Sequence, residues 1–441
     1  MDTTPTPSAA EAARTDTARR RRTAGAAAVA AAVEWYDYFI FGIAAALVLG
    51  DQFFPSASPV AGVLASFATF AVGFLARPIG GVIAGHLGDQ RGRKPMLVLA
   101  LTVMGLATTG IGLLPSYDAI GVLAPVLLVA LRVLQGVAVG AQWGGAMLMA
   151  TEYAPPGKRG LYGSMVQLGV PVGVVTANSA FLLTEAGTGG DAFTSWGWRV
   201  PFLAGLLVLV LAWYIHTRVE ETPEFREAER RLAAEEAADG GRSPLREILH
   251  GNLGTVFLAG GSFAVNTATF YILITGVLDY TTRELGMERG PVLFVSLLIS
   301  CFQLLMIPAA AALSDRVGRI KVYELGAVGL LVWAIPMFLL IDTGSLLGLA
   351  AGTFVGSLFL SIMYGPQAAL FAELFTAETR YTGASLGYQI AAVLGGGLAP
   401  FVMVLLLEAT DTSMSVSGYI IALAAVALAS IAVLKRRAAR A

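Results

Sequence analysis

The sequence predicts an all-α membrane protein: twelve transmembrane helices in two pseudo-symmetric six-helix halves, with both termini cytoplasmic. Three observations carry this prediction. The composition is too apolar for a soluble chain, twelve apolar runs have membrane length, and a motif pattern recurs between the halves. Of 441 residues, 56% are hydrophobic and 13% charged, and mean hydropathy is +0.71. A soluble protein carries about 25% charged residues. The formal net charge of −1 leaves no global basic field for nucleic acid. Cys301 is the sole cysteine, and His86, His216 and His250 are scattered, so neither an intrachain disulfide nor a metal site is expected.

About 20 apolar residues cross a bilayer. Runs of that kind lie at roughly 26–50, 59–85, 96–115, 119–146, 160–184, 199–217, 252–279, 291–313, 321–341, 346–370, 381–407 and 416–434. With the N-terminus inside, the cytoplasmic segments hold nearly all the basic residues, and the outer segments hold only Arg283 and Arg289. The resulting organisation is a basic tail (1–25), an N-terminal half (26–218), a cytoplasmic linker (219–250), a C-terminal half (251–434) and a short tail (435–441). The basic-then-apolar start imitates a signal peptide, but its apolar run continues past the secretory length, so an uncleaved first span is expected, with a twin-arginine signal as the alternative. The linker is rich in Glu, Arg and Ala and predicts a short amphipathic surface helix. "GHLGDQRGRKP" at 85–95 recurs as "ALSDRVGRIKV" at 312–322, and Glu152 and Arg159 recur as Glu373 and Arg380. Such a two-fold repeat is typical of transporters with a midplane site between halves.

The residues that break the apolar runs are the candidates for chemistry. Glu34 and Asp37 sit in the first span, three residues apart and hence on one helical face. A charge at the bilayer centre costs about 2.5–3.5 kcal/mol, so it normally faces a cavity. Such a carboxyl can exchange a proton when the cost of desolvation is balanced by a nearby arginine. The pair is therefore the candidate proton-coupling site, with a permanent ion pair that locks helix packing as the alternative. One proton moving down 100 mV yields about 2.3 kcal/mol, enough to concentrate a neutral solute some fiftyfold. Arg77 in span 2, and Arg132, Gln135 and Gln142 along one face of span 4, are candidates to grip an anion, since a guanidinium holds a carboxylate bidentately. Alternatively an arginine only neutralises Glu34 or Asp37. In the second half Asn266, Tyr271, Tyr364, Gln367 and Gln389 are candidates to hydrogen-bond substrate hydroxyls, while Gln303 and Tyr388 read as inter-helix contacts. Trp196 and Trp198 read as an interfacial anchor at the outer end of span 6, beside Arg199. Gly395, Gly396 and Gly397 suit bending of span 11. No nucleophile–base set, phosphate loop or metal cluster appears, which disfavours an enzyme.

The motifs resemble the major facilitator superfamily. "GHLGDQRGRKP" is similar to its loop between spans 2 and 3, and "RVLQGVAVG" to its span-4 signature. "EWYDYFIFG", "FLARPIGG" and "SWGWRVPFL" resemble the metabolite:proton symporter family. "WGGAMLMATEYAPPGKRGLYGSMVQLGVPVG", "YGPQAALFAELF" and "RYTGASLGYQIAAVLGGGLAP" look like its shikimate-transporter-like branch. The resemblance covers about residues 24–434. It implies a gating latch at Asp89, Arg91, Gly92, Arg93 and Lys94, with Asp315, Arg316, Gly318 and Arg319 as the counterpart in the second half. Two departures stand out. Gln142 occupies a place where the family usually has an acid, which shifts coupling to Glu34 or Asp37, and Glu378 stands in "TAETR" where a basic or neutral residue is usual.

The expectation is a monomeric, multi-pass plasma-membrane symporter of protons with a small carboxylate: shikimate-like, aromatic or a hydroxy or keto acid. It would need no cofactor beyond the coupling proton, and its partners would be that solute and the lipid bilayer. Uptake of betaine or proline is the alternative. The chain ends soon after span 12 without heptads, whereas osmosensing relatives often carry a coiled coil there. An exporter, or a nutrient sensor built on the same fold, remains a further alternative.

Overall fold

The computed structural model describes residues 32, 35–55, 58–91, 93–140, 151, 154, 157–218, 253–375 and 380–438. Side chains are described in these ranges except at 81–97, 211, 215, 216, 218, 380–382 and 438. The N-terminal tail, the linker, Glu34, Gly92, Gln142, Glu152 and Glu378 lie outside the described residues. So do the side chains of Asp89, Arg91, Arg93, Lys94 and Arg380.

Among the described residues, helices stand within each of the twelve runs. In chain order they begin with α1 (Trp35–Leu47, continued by Leu49–Phe53), α2 (Pro59–Arg91) and α3 (Arg93–Leu113). After a short turn come α4 (Leu123–Val139), α5 (Arg159–Thr188) and α6 (Gly190–Ala192 through Leu206–Arg218). The second half holds α7 (Leu253–Arg283), α8 (Arg289–Val317), α9 (Arg319–Ile341) and α10 (Leu346–Glu373). It ends with α11 (Arg380–Ala391 through Ala399–Thr410) and α12 (Met414–Ala438). Among the described residues nine helices are long and apolar enough to cross a membrane, and α1, α3 and α4 contribute shorter apolar segments. All described regular structure is helical, as lipid demands, because every backbone polar group must find its partner inside the segment.

Local sequence explains the ends and irregularities. Pro59 opens α2, where its missing N–H costs nothing. Ser345 caps α10 by accepting from the Gly348 N–H at 3.0 Å. Gly318 joins α8 to α9 at φ 103°, a conformation that glycine adopts without penalty. Three π-helical turns interrupt α6 (Phe193–Gly197), α7 (Ile272–Gly276) and α11 (Ala392–Gly397), and the last contains the Gly395–Gly397 run.

The π turn in α6 corrects one sequence expectation. Span 6 begins at Gly190 rather than near 199, so "SWGW" lies within the helix. Trp198 is fully buried, edge-on to Phe53 and Phe202, and is no interfacial anchor; Trp196 is 54% exposed. Arg199 stacks on Trp198 and donates to the carbonyls of Ser195 and Leu114, tying α6 to the end of α3.

The halves meet in two layers. At the N-terminal end of α5, Asp315 of α8 accepts from the backbone N–H groups of Gly160 and Leu161 at 2.9 and 3.0 Å. Nearby, Gln167 of α5 donates to Gln367 of α10. Farther along, Tyr271 of α7 inserts among Phe39, Phe70 and Phe74 of the N-terminal half, with ring centroids 5.3–6.1 Å away. Phe74 also packs against Gly396 and Gly397, where a Cβ would come within 3.1 Å of its ring.

Candidate functional site

The site begins with Asp37, fully buried on α1. Its carboxylate meets two neutral donors. The Thr108 hydroxyl on α3 reaches Oδ1, and the Gln135 amide on α4 donates to Oδ1 at 3.1 Å and Oδ2 at 3.0 Å. The Thr108 hydroxyl also lies 2.7 Å from the Met104 carbonyl. Its single proton can serve only one of these acceptors at a time. Gln135 Oε1 in turn accepts from Arg132 Nη1 at 3.1 Å. The amide thus stands between acid and guanidinium and relays their attraction.

Arg132 is wholly buried, and its Nε and Nη2 have no hydrogen-bond partner among the described residues. Its charge rests on ring faces instead: Cζ lies 4.2 Å from the centroid of Tyr38, 4.3 Å from Phe41 and 5.2 Å from Phe70. Arg77, only 3% exposed, approaches Tyr38 at 4.2 Å, Phe74 at 4.7 Å and Trp35 at 5.7 Å. Desolvated cation–π contacts of this kind are worth about 2 kcal/mol each. Glycine makes the room. A Cβ on Gly73 would sit 2.6 Å from Arg132 Nε, and one on Gly136 would sit 2.2 Å from the Gly73 carbonyl, so α2 and α4 touch backbone to backbone beside the guanidinium.

A cavity of about 440 Å³, its open side included, lies against this cluster. The C-terminal half supplies most of its wall, including Phe263, Asn266, Tyr271, Gln303, Tyr364 and Tyr388, and Trp35, Val170 and Pro171 close it from the N-terminal half. Phe263 stacks between Tyr364 and Tyr388, at 6.0 and 5.6 Å. Asn266 donates to the Leu360 carbonyl at 3.0 Å. Asp37, Arg77, Arg132 and Gln135 do not line the cavity; they sit one aromatic layer behind it, with Trp35 contacting both Arg77 and the empty space.

Of the residues singled out in the sequence, Asp37, Arg77, Arg132 and Gln135 converge on one cluster, while Asn266, Tyr271 and Tyr364 converge on the cavity. Gln367 is buried at the contact with Gln167, away from the cavity wall, and Gln389 also lies outside the lining. Asp315 reaches the α5 N-terminus and pairs with Arg319 at 2.5 Å; Arg319 also reaches Glu373 at 3.4 Å. Arg316 and Gly318 are exposed at the same turn. Sequence reasoning misses Thr108, Tyr38, Phe70 and Phe74, and it assigns Gln303 and Tyr388 to inter-helix contacts although both line the cavity. For Thr108 the available signal is the "TT" pair at 108–109 inside a largely apolar third span.

Comparison with known proteins agrees with this architecture. Residues 27–400 match the family profile of the Major Facilitator Superfamily. The chain is 40% identical over 373 residues to the shikimate transporter of Escherichia coli (strain K12), covering 84% of each chain. It is 33% identical over 414 residues to the proline/betaine transporter of the same strain, covering 93% of this chain and 82% of that one. Among solved structures, a D-xylose-proton symporter superposes with a TM-score of 0.71 at 18% identity, covering 93% of this chain and 95% of that one. Twelve helices in two halves, a cavity between those halves and these relatives together describe a multi-pass membrane transporter rather than an enzyme, and the chain belongs to the major facilitator superfamily, among its shikimate-transporter-like members.

Proposed function

We propose that this transporter is a proton-coupled symporter that imports a small carboxylate metabolite (shikimate-like, aromatic, or a hydroxy or keto acid) across the plasma membrane by alternating access. The observation that carries the reading is the amide-bridged pair of Asp37 and Arg132. While Asp37 is ionised, its charge compensates Arg132 through Gln135. A proton on Asp37 removes that compensation and leaves the Arg132 charge unbalanced, with its Nε and Nη2 already lacking acceptors. An incoming carboxylate supplies both the charge and the acceptors. Proton and anion therefore each favour the other's binding, which is the reciprocal coupling a symporter needs. The Tyr38 and Trp35 rings must shift for a carboxylate in the cavity to reach either guanidinium. The identity of 40% with a shikimate transporter supports the carboxylate.

The Asp315 contact at the N-terminal end of α5 fits a latch on the side that positive-inside charge places in the cytoplasm. Asp89 and its loop would serve the equivalent place in the first half.

A second reading, uptake of a betaine or proline-like zwitterion, draws on the ring-lined cavity. Trp35, Phe263 and Tyr364 could receive a quaternary ammonium. Uptake into proteoliposomes, with and without an imposed pH gradient, across a panel of carboxylates and betaines separates the readings. Accumulation of carboxylates that collapses with the gradient supports the first; gradient-driven uptake of betaines alone supports the second.

A further inference from the structure

We propose that Gln303 on α8 is a specificity-determining residue of the cavity, placed to hydrogen-bond an uncharged hydroxyl or carbonyl group of the transported molecule; this rests on the carboxylate reading above. Three observations meet at this side chain. It lines the cavity. It is only 4% exposed. Its Oε1 is buried with no hydrogen-bond partner among the described residues.

Three of its polar neighbours are already answered by backbone. Asn266 donates to the Leu360 carbonyl, Thr267 to the Ala391 carbonyl at 2.9 Å, and Ser361 to the Ser357 carbonyl at 2.8 Å. Gln303 stands apart from them. A buried amide atom without a partner is costly, and interiors rarely keep one unless something else arrives to engage it. Rotation about the last side-chain bond exchanges the amide's ends, so it can present an acceptor or a donor to a hydroxyl, which is itself both.

The surroundings restrict what arrives. Every residue in the lining is uncharged, and Phe263, Tyr271 and Tyr364 offer ring faces. A flat or cyclic molecule would lie against these rings with its neutral oxygen toward α8, and its charged end toward Arg77 and Arg132 behind Trp35. A site built around a buried hydrogen-bonding group discriminates steeply against a ligand that lacks the matching group, because its own group is then left unpaired.

The test is equilibrium binding to the full chain in lipid nanodiscs with two probes, shikimate and cyclohex-1-ene-1-carboxylate, which share ring and carboxylate and differ in the hydroxyls. The wild type is expected to prefer shikimate by about tenfold or more. Gln303→Met, similar in length and unable to donate, is expected to cut that preference about tenfold. It should do so by weakening shikimate while leaving the deoxy acid within about threefold. Its thermal midpoint should not fall, since no partner within the protein is lost. Gln303→Asn, which keeps the amide on a shorter stem, should retain part of the preference.

An unchanged preference in Gln303→Met overturns the inference. So does joint loss of both probes with a lowered midpoint, which would make the residue structural. A wild type that binds both acids equally overturns the inference and leaves the carboxylate reading standing. A wild type that binds neither overturns that reading and the inference with it.

Discussion

Asp37 is a carboxylate held by neutral donors instead of a direct guanidinium contact, and in the proposed symport that arrangement is what would let it exchange a proton. A buried ion pair in direct contact resists protonation, whereas an amide-relayed pair leaves the acid one hydrogen-bond rearrangement away from its neutral form. Asp37→Asn should therefore abolish gradient-driven accumulation while substrate binding and exchange persist, measured by uptake with and without a pH gradient and by counterflow. Gln135→Leu removes the relay and leaves both charged groups short of partners. It should lower stability by about 1–3 kcal/mol, read from thermal unfolding in detergent. Asp37 and Arg132 were legible in the sequence because a charge inside an apolar run needs a reason. Thr108 was not, since a threonine in such a helix ordinarily bonds its own preceding turn, as this one also does through Met104. Gln303 was illegible for a related cause: whether a membrane amide meets a neighbouring helix or an empty space depends on packing that no single segment encodes.

Helix packing sets the positions of these groups. The contact of α2 with α4 through Gly73 and Gly136 leaves no space for a methyl group, and Arg132 occupies what room remains. Gly136→Val should push the helices apart, cost about 1–3 kcal/mol and reduce transport in parallel, both measurable on the purified protein. Helix order, and nearly all the boundaries that fall on described residues, could be read from apolar run length and basic-residue asymmetry. The exception is α6. Aromatic residues beside an arginine look like a membrane edge, but a π turn carries the helix through "SWGW" and buries Trp198 between α1 and its own next turn. π turns have no simple sequence period, so they escape a reading based on periodicity.

Across the whole molecule, the halves are joined at different depths by different chemistry. One contact is polar, with the Asp315 carboxylate on the N-terminus of α5, where helix dipole and N–H donors both favour a negative charge. The other is apolar, with Tyr271 held among the phenylalanines of α1 and α2. Polar contacts can be traded for water as a gate opens, so the Asp315 end is the one suited to switching. Asp315→Ala should weaken that closure by about 2 kcal/mol, a shift of some thirtyfold toward the form open on that side. Labelling of a cysteine introduced at Leu161 should rise accordingly. The repeat between the halves made Asp315 visible as a candidate for gating; its partner, the backbone of α5, became visible only in three dimensions.

In the proposed symport, proton and carboxylate move together through Asp37. Proteoliposomes in lightly buffered medium, challenged with shikimate under no imposed gradient and read with an external pH electrode, test it most directly against protein-free vesicles. Transient external alkalinisation in step with labelled uptake, absent in Asp37→Asn, is the predicted result. Labelled uptake with no protein-dependent proton movement would contradict it.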